Sequence, residues 1–71
     1  MGDMNDILED AFFSRKKVSI LTKKGQTIVG MIFLFEEPYD NNDNCSVTYI
    51  TDDSGEEFVL HQSTIKSVKY A

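Results

Sequence analysis

Residues 17–36 read Lys-Val-Ser-Ile-Leu-Thr-Lys-Lys-Gly-Gln-Thr-Ile-Val-Gly-Met-Ile-Phe-Leu-Phe-Glu, two strand-forming runs with Gly25 between them and Gly30 inside the second. Gly25 supplies the positive φ that a tight hairpin turn needs, and an isolated glycine within a strand marks a bend or a close backbone approach. This spacing predicts two strands, about 17–23 and 27–37, the second long and bent as at the start of a small barrel.

The elements around this hairpin complete the pattern. Met4, Ile7, Leu8, Ala11 and Phe12 recur at i, i+3, i+4, i+7 and i+8, which predicts an amphipathic helix over about 4–14. Acids crowd its first turns, and Arg15, Lys16 and Lys17 follow it where the negative end of a helix dipole lies. In the second strand, Ile28, Gly30, Ile32 and Leu34 are expected on one face and Val29, Met31, Phe33 and Phe35 on the other. Residues 38–44, with Pro38 and a cluster of Asn and Asp, form a loop. Three shorter strands are expected at about 45–52, 56–61 and 64–70. Asp52-Asp53-Ser54-Gly55 makes the hairpin turn between the first two of these, with Gly55 at the turn position. Gln62 and Ser63 do not suit a primed hairpin turn, so a short helical turn crossing to another edge is expected there.

At 71 residues the chain is expected to be one domain with a core that leaves little margin of stability. Cys45 is the only cysteine and His61 the only histidine, so neither an internal disulfide nor a zinc set is available, and no cofactor is implied. Self-association is the expected support. No apolar run approaches a bilayer span and no basic-then-apolar leader pattern opens the sequence, so a cytoplasmic protein without membrane contact is expected.

The net charge of −5 speaks against a nucleic-acid partner taken as a sum, but five of the seven cations fall within residues 15–24. A local positive patch on an acidic body is compatible with that distribution. Asp40, Asn42 and Asn44 imitate the start of a calcium loop, but Cys45 stands where glycine is needed and Thr51 where glutamate is needed. Asp52, Asp53, Glu56 and Glu57 flank an exposed turn with no apolar pocket to raise a carboxyl pKa, and the sequence identifies no nucleophile constellation around Cys45. No enzyme activity is expected.

One helix, a long bent second strand, a loop, a hairpin and a fifth strand entered through a tight turn resemble the Sm/LSm family, and especially its bacterial Hfq branch. Val18-Ser19-Ile20, Gly25, Ile28, Gly30, Ile32, Phe35 and Glu36 look like the first Sm motif, and residues 60–68 are similar to the second. The resemblance covers nearly the whole chain. It implies a mainly β, Sm-like (SH3-like) small barrel with an N-terminal α-helix and five strongly bent antiparallel strands. It further implies a homo-hexameric or heptameric ring that binds single-stranded, uridine-rich RNA through the helix-side face and pore.

Carried onto this sequence, the pore positions that hold RNA fall on Gln62 and Ser63, with His61 one place early. The base-stacking aromatic falls at Pro38 or Tyr39, and the basic rim at the helix end becomes Arg15, Lys16 and Lys17. The pore lysine is missing, Leu21 replaces the tyrosine that serves purine-rich RNA, and residues 38–44 are an insertion relative to the short bacterial form. These departures leave a second reading open, an acidic Sm-fold scaffold that recruits basic protein surfaces without binding RNA.

Overall fold

In the computed structural model, which describes residues 4–37 and 45–71, helix α1 (Met4–Ser14) precedes five strands: β1 (Lys17–Thr22), β2 (Thr27–Glu36), β3 (Val47–Asp52), β4 (Glu57–His61) and β5 (Ile65–Tyr70). A 3₁₀ turn over Gln62–Thr64 joins β4 to β5. All pairings are antiparallel and the strand order is β4-β3-β2-β1-β5. The sheet is not closed. Where the hairpin spacing leads one to expect a barrel, β4 and β5 are its two edges.

The helix forms as its apolar stripe dictates. Leu8 and Ala11 are fully buried, and Met4 and Phe12 flank them against Val18, Ile20, Ile28, Ile32, Ile50 and Ile65 from the sheet. Covering one face of the sheet with a single helix lets a short chain build one continuous core. Two irregularities interrupt the strand pairing. Phe33 is an extra residue in β2, between the pairs Ile32–Ile50 and Leu34–Tyr49. Lys66 is an extra residue in β5, between the partners of Thr22 and Leu21. Such bulges bend and twist a strand.

The bulge at Phe33 also corrects the expected alternation of β2. Beyond it the parity reverses: Phe35 rejoins the core, while Leu34 turns outward and is exposed. Gly30 answers to the close-approach reading. A Cβ there would run into the carbonyl oxygen of Thr51 and lie 2.7 Å from Asp52 Cα, because β2 meets the end of β3 at this point.

Gly25 and Gly55 take φ of +90° and +91° in two turns built to one plan. In each, the glycine N–H donates to the carbonyl of the residue three before it, Thr22 or Asp52. A side-chain oxygen of that same residue, Thr22 Oγ1 or Asp52 Oδ1, accepts the N–H of Gln26 at 3.1 Å or of Glu56 at 2.9 Å. Each is a three-residue hairpin loop closed by a left-handed glycine, a common hairpin connection. The two turns differ in charge, since one carries Lys23 and Lys24 and the other Asp53, Glu56 and Glu57.

One buried group is poorly served. Thr48 is 1% exposed on the core face of β3, and its hydroxyl has no hydrogen-bond partner among the described residues. Desolvating a hydroxyl without a partner is costly, so Thr48→Val is expected to raise unfolding stability by about 1 kcal/mol. Urea unfolding of the two proteins measures it, and a lower midpoint for the variant would show that the hydroxyl is satisfied.

Candidate nucleic-acid interface

His61, Gln62 and Ser63 occupy the junction between β4 and the 3₁₀ turn. His61 is half-buried, pairs with Val47 as the last residue of β4, and its carbonyl accepts the Thr64 hydroxyl at 2.7 Å. The Gln62 N–H donates to the carbonyl of Ser46 at 2.9 Å. Ser46 is fully buried and its hydroxyl donates to Asn5 Oδ1 at 2.7 Å. This relay sets the turn against the first turn of α1, on the helix side of the sheet. Ser63 is exposed.

At the far side of the turn, the Lys23 N–H donates to the carbonyl of Thr64 at 2.9 Å. That bond brings the β1–β2 turn beside the crossing. Lys23, Lys24, Gln26, Leu60, Ser63 and Thr64 line a shared open groove of about 380 Å³. Lys23 and Lys24 are exposed, and neither makes an ion pair among the described residues. The groove therefore offers hydroxyl and amide groups next to two available cations, a combination suited to a phosphodiester backbone. In the sequence Lys23 and Lys24 stand out only as part of a basic segment. Their place beside Ser63 depends on β1 pairing with β5.

Arg15, Lys16 and Lys17 lie elsewhere. They follow the C-terminus of α1, whereas the 3₁₀ turn is tied to its N-terminus, and eleven residues of helix span about 16 Å. Lys16 Nζ is 3.3 Å from Asp10 Oδ2 and 5.2 Å from the centre of the Tyr70 ring. Lys17 Nζ is 3.0 Å from Asp53 Oδ1 on the acidic turn. Both amines are thus partly neutralised by the chain's own carboxylates. Arg15 makes no ion pair or hydrogen bond of its side chain among the described residues. Tyr39 and residues 40–44 lie outside the described residues.

No protein-family model, characterised protein or solved structure matches this chain. The chemistry of the surface therefore has to be read from its own residues. Among the described residues, no three His, Cys, Asp or Glu side chains are grouped as metal ligands, and no helix is long and apolar enough to cross a membrane.

The electrostatics of the helix end are dominated by Asp10. Tyr70 donates its hydroxyl to Asp10 Oδ2 at 2.6 Å and Ser14 donates to Oδ1 at 3.2 Å. Tyr70, then Lys16, holds the Asp10 carboxyl below the usual carboxylate range, and the same bond raises the Tyr70 hydroxyl above its ordinary value. On the acidic turn, the Ser54 hydroxyl and the Glu56 N–H hold Asp52 low as well. Burial, assisted by the Glu36 carboxylate, raises the Tyr49 hydroxyl on the outer face.

A carboxyl whose folded pKa is depressed stabilises the fold above its unfolded pKa, and that contribution disappears as pH falls through the folded value. The ordinary Asp value in both cases is 3.8. The thermal midpoint should therefore stay level from neutral pH down to about pH 4.5 and fall below pH 4. In Asp10→Asn and Asp52→Asn the midpoint should be lower at neutral pH, and each variant should approach the wild type as the pH drops below 4. A constant difference between wild type and variant across that range would remove ionisation as the cause.

Proposed function

We propose that this chain is a ring-forming, Sm-like subunit that binds single-stranded, uridine-rich RNA on its helix-side face, across the groove between the 3₁₀ turn and the β1–β2 turn. The observation that carries the RNA reading is the Lys23–Thr64 backbone bond, which sets Lys23 and Lys24 beside Ser63. In this reading the two lysines hold phosphates and Ser63, the one of the three motif residues that lines the groove, offers a neutral hydrogen bond to a base edge, with His61 and Gln62 preceding it in the chain as further contacts. Arg15, Lys16 and Lys17 play a lesser part, since Lys16 and Lys17 are already paired with acids. The protein acts without a cofactor and without catalysis, in the cytoplasm.

Ring assembly is supported by the strand order, which leaves β4 and β5 each with one free edge. Pairing β4 of one copy with β5 of the next would be head-to-tail, and head-to-tail contacts generate rings when the rotation closes. Six or seven subunits are proposed from the Sm/Hfq resemblance. The charges at these edges are complementary, with Glu57 on β4 and Lys66 and Lys69 on β5. Within a ring, weak contacts at each subunit add through effective concentration.

A second reading is favoured by the ion pairs of Lys16 and Lys17 and by the net charge of −5. It keeps the ring but replaces RNA by basic protein surfaces that dock on the acidic turn. Titration of a fluorescent uridine-rich oligonucleotide at low and moderate salt separates the two. The RNA reading requires binding that weakens as salt rises, with a slope of about −0.7 per phosphate contact on logarithmic axes. Absence of binding at low salt would leave the protein-docking reading.

A further inference from the structure

At the end of α1 opposite the RNA groove, Phe12, Phe13, Arg15, Met31, Ile32 and Phe33 line an open groove of about 300 Å³. Ile32 is buried and forms part of its floor, while Phe13 is 73% exposed, Phe33 47% and Met31 37%. The arrangement is unusual for a free surface, because three exposed large apolar side chains and an arginine line one groove.

Arg15 has a second peculiarity. Its φ is +55°, and Lys16 N–H donates to the carbonyl of Ala11 at 3.0 Å, the bond that closes a helix through a left-handed residue. Glycine is the residue favoured at that position, and an arginine there adopts a backbone conformation that costs stability. A strained non-glycine residue with an unpartnered charge at the mouth of a groove points to a use for its side chain. The local charge decides what kind of use. Lys16 is paired with Asp10 and Lys17 with Asp53, which leaves Arg15 as the cation of this end without an ion pair among the described residues. A polyanion gains its affinity from several cations at once, whereas a single carboxylate needs one.

We infer that this groove is a docking site for an acidic segment of a partner protein, one that places a large apolar side chain between Phe13 and Phe33 and an adjacent Asp or Glu carboxylate on Arg15. Aromatic and arginine anchors in one desolvated pocket are the usual energetic centre of such contacts. The two grooves share no lining residue and Arg15 is a minor contact in the RNA reading, so either proposal can fail without the other.

The test uses the full chain and a fluorescent, end-blocked peptide carrying one phenylalanine flanked by aspartate and glutamate, followed by anisotropy. Arg15→Gly is the decisive variant because glycine suits the backbone there; its thermal midpoint should rise, which removes misfolding as an explanation. Binding of the peptide should weaken at least about tenfold in Arg15→Gly and in Phe13→Ser, following the loss of a charge-assisted pair or of an aromatic anchor. Peptides with the acids amidated, or with serine in place of phenylalanine, should bind at least as weakly. Equal binding by wild type and Arg15→Gly, or no binding of the peptide at millimolar concentration, would overturn the inference. A loss of oligonucleotide affinity in Arg15→Gly with unchanged peptide binding would also overturn it, assigning the residue to RNA.

Discussion

Gly30→Ala is expected to lower unfolding stability by about 3 kcal/mol or more, the largest effect of any single methyl group in this protein. A Cβ at this position meets backbone on β3, with Asp52 Cα at 2.7 Å and the Thr51 carbonyl carbon at 2.8 Å, so no rotamer change relieves it. Relief would require β2 and β3 to separate where Gly30 pairs with both Val18 and Asp52, at the centre of the sheet. A domain this small has a total stability of about 4–10 kcal/mol, of which the loss is a large part. In urea the midpoint should fall by about 2 M, given a slope of about 1–2 kcal/mol per molar. A shift under about 0.5 kcal/mol would mean that the strands are not in this register.

Under the proposed RNA reading, reversal of the basic turn, Lys23→Glu with Lys24→Glu, should have the largest effect on oligonucleotide binding. Each phosphate contact to single-stranded nucleic acid scales as salt to the power of about −0.7, so at 0.1 M salt one contact is worth about fivefold and two about 25-fold. The turn itself should survive, since its geometry depends on Thr22 Oγ1 and on Gly25 rather than on the lysine side chains. The same reversal at Lys16 and Lys17 should matter much less, because those amines are already engaged by Asp10 and Asp53. Equal losses from the two double variants would place RNA over both ends of α1. A loss confined to Lys16 and Lys17 would move it to the end of the helix at Arg15.

The helix was readable because Met4, Leu8, Ala11 and Phe12 repeat at a period that only a helix places on one face, and the stripe is what packs on the sheet. Gly25, Gly30 and Gly55 were readable for a related reason: each answers a backbone demand that few other residues meet. The reversal of parity in β2 was not readable. Phe33 lies in an unbroken apolar run, and its bulge arises from the register with β3, which begins eleven positions beyond Glu36. The expected β3 start at residue 45 was early because Ser46 is spent on bonds to Asn5 and Gln62, which local propensity does not record.

The candidate site divides along the same line. His61, Gln62 and Ser63 were identified by position within a motif, and the short crossing they occupy is a local feature. Their neighbours Lys23 and Lys24 come together with them only through the β1–β5 pairing. The pairing of Lys17 with Asp53 is likewise a tertiary fact, and with the Lys16–Asp10 pair it leaves these two amines partly neutralised by the chain's own carboxylates.

Native mass spectrometry of the protein with a uridine-rich oligonucleotide tests ring assembly and RNA binding in one spectrum. Six or seven copies carrying bound oligonucleotide, with the oligonucleotide lost from Lys23→Glu/Lys24→Glu while the ring mass persists, is the predicted result. A protein that remains monomeric at micromolar concentration and carries no oligonucleotide would contradict it.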